Sequence, residues 1–207
     1  MKKLDLTKEN KNYYSAKTKP ELFEIGSANY LSIKGKGDPS DKLFAANVEA
    51  LYSVAYTIKF SFKALDKDFV VAKLEGLWWF DEKMYKDITI AAAPKLIPRS
   101  EWEYRLLIRL PDFVGENDIS MAMQKVTFKK GIEKAKEVEF YTMNEGKVVQ
   151  MLHVGPFDKE PESLQKISEV ITSLGLKRNG LHHEIYLSDF RKTEPAKLKT
   201  ILREPVK

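Results

Sequence analysis

Three stretches of the chain carry apolar residues at intervals of three and four, the spacing of one face of an α-helix. The first follows helix-start signals at residues 39–41, and its apolar positions are Phe44, Val48, Leu51, Ala55 and Ile58. The second opens at Asp118, with the stripe Ile119, Ala122, Met123 and Val126. The third lies between Pro156 and the stop signal Gly175, and its stripe is Leu164, Ile167, Val170, Ile171 and Leu174. The pattern predicts three amphipathic helices.

Runs rich in branched and aromatic residues predict β-strands around these helices. An extended segment begins at Glu21, and further strands are predicted in FVVAKLEGLWWFD, EWEYRLLIRLPDF, EVEFYTM, GKVVQMLHVG, HHEIYLSD and KLKTILREP. The residues Asn144, Glu145 and Gly146 form a turn signal that predicts a hairpin between EVEFYTM and GKVVQMLHVG.

The order of elements indicates an internal duplication. IKGKGDPSDKLF and HVGPFDKEPESL both lead from a strand through glycine and proline into an amphipathic helix, and the endings IRLP and LREP also correspond. The predicted fold class is α+β, a tandem repeat of two helix-on-small-antiparallel-sheet units with pseudo-twofold symmetry and a ligand groove between them. Repeat one spans about residues 21–114 and repeat two about 115–207, behind a loosely ordered N-terminal arm, residues 1–20.

Composition narrows the classes of function. The net charge of +5 results from 35 basic and 30 acidic residues, a small excess that does not indicate a nucleic-acid partner. The chain has no cysteine and 3 histidines, so we expect no metal site and no cofactor. The start MKKLDLTKEN lacks the apolar run of a signal peptide, and nowhere do about 18 apolar residues follow one another. We therefore expect a cytoplasmic protein without a membrane partner.

The strand HHEIYLSD carries the strongest candidate for chemistry. Side chains alternate between the faces of a strand, so His182, Glu184 and Tyr186 share one face, while His183 and Ile185 share the core-like face. A carboxylate that loses hydration in an aromatic groove is a stronger base, and Tyr186 or His182 can hydrogen-bond to it. The alternative is a solvated glutamate or a member of a surface ion pair. One of the two histidines is expected at the surface.

The order HVGPF, helix ending LGLKRNG, then EIYLSD resembles the GyrI-like small-molecule-binding proteins, relatives of the gyrase inhibitory protein and of effector domains in multidrug-responsive regulators. The resemblance covers about residues 21–205 and implies a single domain of that kind over residues 21–207. In that family a glutamate in the last repeat lies at the centre of the ligand pocket, and by position it corresponds to Glu184, followed by Tyr186. The first 20 residues contain no helix-turn-helix pattern, so direct binding of nucleic acid is not expected.

The stretches LWWFD and EWEYRL resemble a stand-alone, tryptophan-rich branch of the family, of which some members hydrolyse the cyclopropane ring of genotoxic DNA-alkylating compounds. One of two uses of the carboxylate is therefore that of a metal-free hydrolase, with Glu184 as base and with Tyr186 or Tyr104 as hydrogen-bond donor; the other is to attract a cationic aromatic ligand. The candidate ligand-binding residues are Trp78, Trp79, Trp102, Tyr104 and His182. Because Trp78 and Trp79 are adjacent in a strand, at most one of them lines the groove. For each aromatic residue, packing in the core is the alternative.

Three functions remain open at this point. The protein could hydrolyse cyclopropane-type genotoxins at Glu184, or it could sequester or sense aromatic, hydrophobic or cationic xenobiotics without changing them. As a third reading, it could act like the gyrase inhibitory protein, through a protein interface that pocket mutations would not affect.

Overall fold

A computed structural model describes residues 3–207 of the chain, which form one eight-stranded antiparallel sheet with its longer helices on one side. The strands are β1 (Glu21–Ile25), β2 (Ala28–Lys36), β3 (Leu74–Trp79), β4 (Glu103–Arg109), β5 (Glu139–Met143), β6 (Gly146–Val154), β7 (His182–Tyr186) and β8 (Lys199–Pro205). The helices are α1 (Leu6–Glu9), α2 (Lys42–Lys63), α3 (Ala93–Leu96), α4 (Glu116–Lys130) and α5 (Glu160–Ser173). The predicted α+β class is confirmed.

The strand order is β1-β6-β8-β7-β3-β4-β2-β5. This order is symmetric. If it is read from the other end, and β1 is exchanged with β5, β2 with β6, β3 with β7 and β4 with β8, the same order results. A tandem repeat with a twofold axis between β3 and β7 would give this order. The first strand of each half pairs within the other half, since β1 pairs with β6 and β5 pairs with β2.

The two ends of the sheet must lie close together. Residues 26–27 join β1 to β2, and residues 144–145 join β5 to β6, although each connection links one end of the strand order to the other. Such a short link spans only about 10 Å, so the sheet curls until its ends meet. The predicted hairpin between EVEFYTM and GKVVQMLHVG is therefore wrong. The turn at Asn144 and Glu145 is tight, but it leads the chain across to a different pair of strands.

Helices α2 and α5 pack against the same face of the sheet. Phe44 of α2 stacks on Trp78 of β3, with ring centroids 6.1 Å apart. Leu164 and Ile167 of α5 form an apolar cluster with Leu202 of β8. Trp78 and Leu202 point to one face, because Trp78 is paired with His182 and Leu202 with Glu184. Between the two helices lies the centre of the sheet.

The predicted helical stripes are largely confirmed. All five apolar positions named for α2 are buried, and so are Ile119, Ala122 and Val126 of α4, which packs on α2. The third stripe ends earlier than predicted. Leu174 is exposed because α5 stops at Ser173, ahead of Gly175 with its left-handed φ of +67°. None of the helices within residues 3–207 combines the length and the apolar character needed to cross a lipid bilayer.

The N-terminal segment packs against the other face of the sheet, so the expectation of a loosely ordered arm is wrong for residues 3–20. Tyr13 and Tyr14 are buried, and both donate hydrogen bonds to the carboxylate of Glu75. The ring of Tyr13 lies between the guanidinium groups of Arg109 and Arg203, at 4.7 and 4.5 Å from its centroid. The arm is held because its tyrosines satisfy a carboxylate that water does not reach.

A charge network fills the same face of the sheet. His183 donates to Glu75 at 3.0 Å and to Glu145 at 2.9 Å, and Arg203 donates to Glu145 at 2.8 Å. Burial raises the pKa of Glu145, but His183 and Arg203 outweigh burial and hold that pKa at about 2. The expectation of one surface histidine is wrong, since His182 and His183 are both buried. The positive charge of each histidine is compensated by carboxylates, including ones from distant parts of the chain.

Candidate functional site

Strand register assembles a second polar cluster between α2 and α5. Gly76 of β3 lies opposite Glu184 of β7, and Trp78 lies opposite His182. On the other side of β7, Tyr186 lies opposite Thr200 of β8. Side chains of paired residues share a face, so these groups converge on the face that carries the two helices. We call this cluster the Glu184 site; its members are Gly76, Trp78, Glu160, His182, Glu184, Tyr186 and Glu204.

Gly76 makes room for the cluster. A Cβ atom at this position would lie 2.8 Å from Trp78 Nε1 and 3.0 Å from Tyr186 Oη, closer than packed side chains approach one another. The absence of a side chain at Gly76 therefore allows Trp78 and Tyr186 to meet over the middle of the sheet.

The carboxylate of Glu184 is held at both oxygens. Tyr186 Oη donates to Oε2 at 2.7 Å, and Trp78 Nε1 donates in turn to Tyr186 Oη at 3.0 Å. His182 Nε2 contacts Oε1 at 3.2 Å. The side chain of Glu184 remains 14% exposed, so the carboxylate is oriented by its neighbours and still reachable.

His182 connects Glu184 to a second, fully buried carboxylate. Its Nδ1 hydrogen-bonds to Glu204, which also accepts from Arg178 Nε at 2.9 Å. Burial lowers the pKa of His182, but Glu204 and Glu184 outweigh burial and raise it to about 10. Burial has the opposite effect on Glu204 and raises its pKa, but His182 and Arg178 outweigh burial and hold that pKa below its usual value. His182 is therefore an imidazolium near neutral pH, donating from both nitrogens.

Glu160 adds a third carboxyl group from the first turn of α5. It is buried, and it hydrogen-bonds to Thr200 of β8. Burial raises its pKa well above the usual value, and the charge of Glu184 raises it further. Both causes favour the neutral form of the Glu160 carboxyl group.

Aromatic rings border the site. The ring of Tyr186 is met edge-on by Phe157, with centroids 6.1 Å apart, and Phe157 in turn meets Phe190 at 6.3 Å. Phe157 and Phe190 remain 39% and 38% exposed. On the side of α2, Trp78 packs against Phe44 and Tyr104, whose rings also contact each other. A partly exposed apolar surface thus adjoins the carboxylate.

The structure separates the predicted site residues into two groups. It brings Glu184, Tyr186, Trp78 and His182 together, joined by hydrogen bonds. Trp79 points to the opposite face, where it packs with Tyr30, Leu77 and Leu107, so it cannot line the Glu184 site.

Trp102 and Tyr104 contribute to the core beside the Glu184 site. Trp102 meets Phe80 at 5.4 Å and Trp78 at 6.5 Å between ring centroids. Tyr104 is 1% exposed, and its hydroxyl accepts a hydrogen bond from Asn47 at 3.0 Å. Tyr186, and not Tyr104, is the tyrosine that hydrogen-bonds Glu184.

Three members of the site were missed by sequence reasoning. Glu204 follows Thr200 and Leu202 at intervals of two residues in β8. This spacing puts all three side chains on the same face of the sheet, the one that carries the helices. Glu160 was part of the GPF-to-helix segment, where an acidic residue is expected as a helix-start signal. For Gly76 the signal was its place in the strand LEGLWW, where a glycine indicates a close approach of another group.

Comparison with known proteins identifies the family. The model of the GyrI-like small-molecule-binding domain matches residues 18–207. The chain belongs to the GyrI-like family. No curated protein matches the chain.

Solved structures share the fold over the whole GyrI-like domain. A conserved protein from Listeria innocua is 39% identical, with 99% of this chain and 100% of that chain covered and a TM-score of 0.88. A hydrolase from Listeria innocua is 38% identical, with complete coverage of both chains and a TM-score of 0.87. The C-terminal domain of EcmrR is 11% identical, with 91% and 97% coverage and a TM-score of 0.59, and this likeness concerns the fold alone.

Proposed function

We propose that this GyrI-like protein binds small aromatic, hydrophobic or cationic xenobiotics at the Glu184 site and hydrolyses reactive members of that class, the cyclopropane-type genotoxins. One observation carries the proposal. The carboxylate of Glu184 is oriented by Tyr186 and His182, is partly exposed, and lies beside aromatic rings. The role that follows is protection against toxic compounds.

Binding follows from the chemistry of the surface. Phe157 and Phe190 offer apolar area to a flat ligand, and burial of such area contributes about 25 cal/mol per Å². A cationic ligand gains in addition from Glu184 and from aromatic faces, the latter by about 0.5 to 2 kcal/mol. The site is thereby suited to hydrophobic compounds of varied shape rather than to a single polar metabolite.

Hydrolysis would use Glu184 as the base. The carboxylate takes a proton from a water molecule while the water oxygen bonds to a ring carbon of the cyclopropane. The strained carbon–carbon bond breaks, and its electron pair passes to the conjugated acceptor of the substrate, which takes up a proton. Tyr186, whose pKa is raised by burial and by Glu184, stays protonated. Its hydroxyl proton is donated to Glu184 in the free protein, and it can turn to the developing oxyanion as Glu184 takes up the proton of the water molecule. The relatedness to a 38% identical hydrolase supports this assignment.

Sequestration without turnover is the second candidate. It is favoured by the contacts to both oxygens of Glu184, because a carboxylate that already accepts two hydrogen bonds is a weaker base and a good anchor. In that case the bound compound would be released unchanged.

Mass spectrometry of the products separates the two candidates. Wild-type protein, Glu184→Gln and the matched control Glu194→Gln, which changes an exposed glutamate near the surface residue Lys197, are incubated with a cyclopropane-bearing DNA alkylator. We expect the water adduct from wild type and from Glu194→Gln, and none above background from Glu184→Gln. An intact compound with all three proteins would exclude hydrolysis, and equal turnover by all three would exclude Glu184 as the base.

A further inference from the structure

The charges of the Glu184 site balance without Glu160 when the neighbouring, partly exposed Arg178 is included. Arg178 and His182 supply two positive charges, and Glu184 and Glu204 supply two negative charges, linked in a row by hydrogen bonds. An ionised Glu160 would add a negative charge in a place that water does not reach. Such a charge is costly unless a partner neutralises it.

Glu160 has an unused hydrogen-bonding position. The residue is 7% exposed. Within residues 3–207, no group forms a hydrogen bond with its Oε1 atom. Buried polar atoms without a partner are rare in native structures and call for an explanation. An oxygen of this kind near a proposed ligand-binding carboxylate is explained if a bound cation places its positive charge against it.

We propose that Glu160 is a second carboxyl group of the ligand site, which holds a proton in the free protein and releases it when a cationic ligand binds beside Glu184. The cation adds a positive charge to a row that is already balanced, and an ionised Glu160 compensates this added charge. This inference rests on the cation-binding part of the proposed function and is independent of hydrolysis.

Charged and titratable groups from three strands surround Glu160. From β7 it faces Glu184, His182 and Tyr186, and from β8 it faces Thr200. On β6, which also packs against α5, the buried His153 is paired with Thr200, and both of its ring nitrogens are engaged in hydrogen bonds. His182 has a pKa of about 10 and therefore stays protonated near neutral pH. The raised pKa of Tyr186 keeps its hydroxyl group neutral. Glu204, next to His182, stays ionised because of its lowered pKa.

Proton release makes cation binding dependent on pH. If Glu160 must lose a proton for the cation to bind, the affinity for the cation rises with pH by up to about tenfold per unit, until Glu160 is ionised in the free protein as well. A neutral ligand does not require this release, and its affinity should stay constant over the same range. The site would thus favour cations as the pH rises.

The proton on Glu160 can be measured without a ligand. The infrared spectrum of the free protein at pH 7 should contain the carbonyl band of a neutral carboxylic acid, and this band should be missing in Glu160→Gln. The matched control is Glu162→Gln, an exposed glutamate two residues along the same helix, which should retain the band. If wild type and Glu160→Gln give the same spectrum in this region, Glu160 is ionised in the free protein and the inference is overturned.

Calorimetric titration with tetraphenylphosphonium, a hydrophobic cation, tests the release. Titrations in two buffers of different ionisation enthalpy give the number of protons released per bound cation. We expect about one for wild type and for Glu162→Gln, and about none for Glu160→Gln. Equal release from Glu160→Gln would overturn the role of Glu160 while leaving cation binding intact. Failure of wild type to bind the cation would contradict the cation-binding function itself, and with it the release.

Discussion

Gly76 and Glu184 are direct neighbours on the two central strands of the sheet, paired across the junction between the halves of the strand order. Because Gly76 has no side chain, it leaves the space in which the side chains of Trp78 and Tyr186 meet. The carboxylate opposite it accepts the hydrogen bond that this arrangement provides. The glycine and the glutamate therefore form one structural unit, although 107 residues lie between them in the chain.

Gly76→Ala should damage the site. The added methyl group would lie 2.8 Å from Trp78 Nε1, and overpacking of this kind costs about 1 to 3 kcal/mol of unfolding free energy. Urea unfolding followed by tryptophan emission measures the loss. The control is Gly26→Ala, because within residues 3–207 no atom beyond its chain neighbours lies within 4 Å of a Cβ at Gly26. Equal stability of Gly76→Ala and wild type would show that Trp78 and Tyr186 are not packed as described.

Glu204→Gln should destabilise the protein strongly. The change leaves the buried imidazolium of His182 with one carboxylate instead of two and removes the partner of Arg178. Removal of one partner from a buried ion pair costs about 3 to 5 kcal/mol. By contrast, Glu160→Gln replaces a neutral acid with a neutral amide and should change the free energy of unfolding little near pH 7. Denaturant unfolding of both variants checks the contrast, and equal losses would contradict the assigned charge states.

Stability should fall on the alkaline side through His182. Its pKa of about 10 in the folded protein lies above the unfolded value of about 6.5. The stabilisation is therefore fully present below pH about 6.5 and is lost as the pH rises through about 10, by up to about 1.4 kcal/mol per pH unit. Urea unfolding between pH 6 and pH 10 should show this decline in wild type and a smaller one in His182→Gln. Parallel declines in the two proteins would assign the effect to other groups.

Tyr13→Phe should loosen the N-terminal segment. The hydroxyl of Tyr13 donates to the buried carboxylate of Glu75. Loss of the donor to a buried acceptor lowers the free energy of unfolding by about 1 to 3 kcal/mol. The variant should unfold at lower urea concentration, and residues 3–20 should become more accessible to protease. Tyr56→Phe, at a tyrosine that is 46% exposed on α2, should change neither measurement. Unchanged protease resistance in Tyr13→Phe would mean that the arm is held by its other contacts.

Local patterns sufficed for much of the fold. The stripe from Phe44 to Ile58 defines the buried face of α2, and alternation in HHEIYLSD places His182, Glu184 and Tyr186 on one face, as the structure shows. These features depend on residues close in sequence. The resemblance that identified Glu184 as the centre of the pocket led to the cluster, while the role of each residue toward a ligand stays a prediction.

Long-range pairing decided the features that sequence reasoning missed. The turn at Asn144 has the composition of a hairpin, and only the exchange of β1 and β5 between the halves shows that the flanking strands pair elsewhere. The charge of the buried His183 is compensated by Glu75 of β3 and by Glu145, which lies in the connection between β5 and β6. Glu160 joins the site through the packing of α5 on the sheet. None of these contacts leaves a periodic signal in its own segment.

The NMR signals of the 3 tryptophan indole groups test the central claim, ligand binding at the Glu184 site, most directly. Nitrogen–proton spectra of the protein, assigned with single Trp→Phe variants, would be recorded while tetraphenylphosphonium or a cyclopropane-bearing alkylator is added. Binding at the Glu184 site should give the largest shift for Trp78, whose indole donates to Tyr186 beside Glu184, and little change for Trp79 on the opposite face. A ligand that shifts Trp79 and leaves Trp78 unchanged would contradict it.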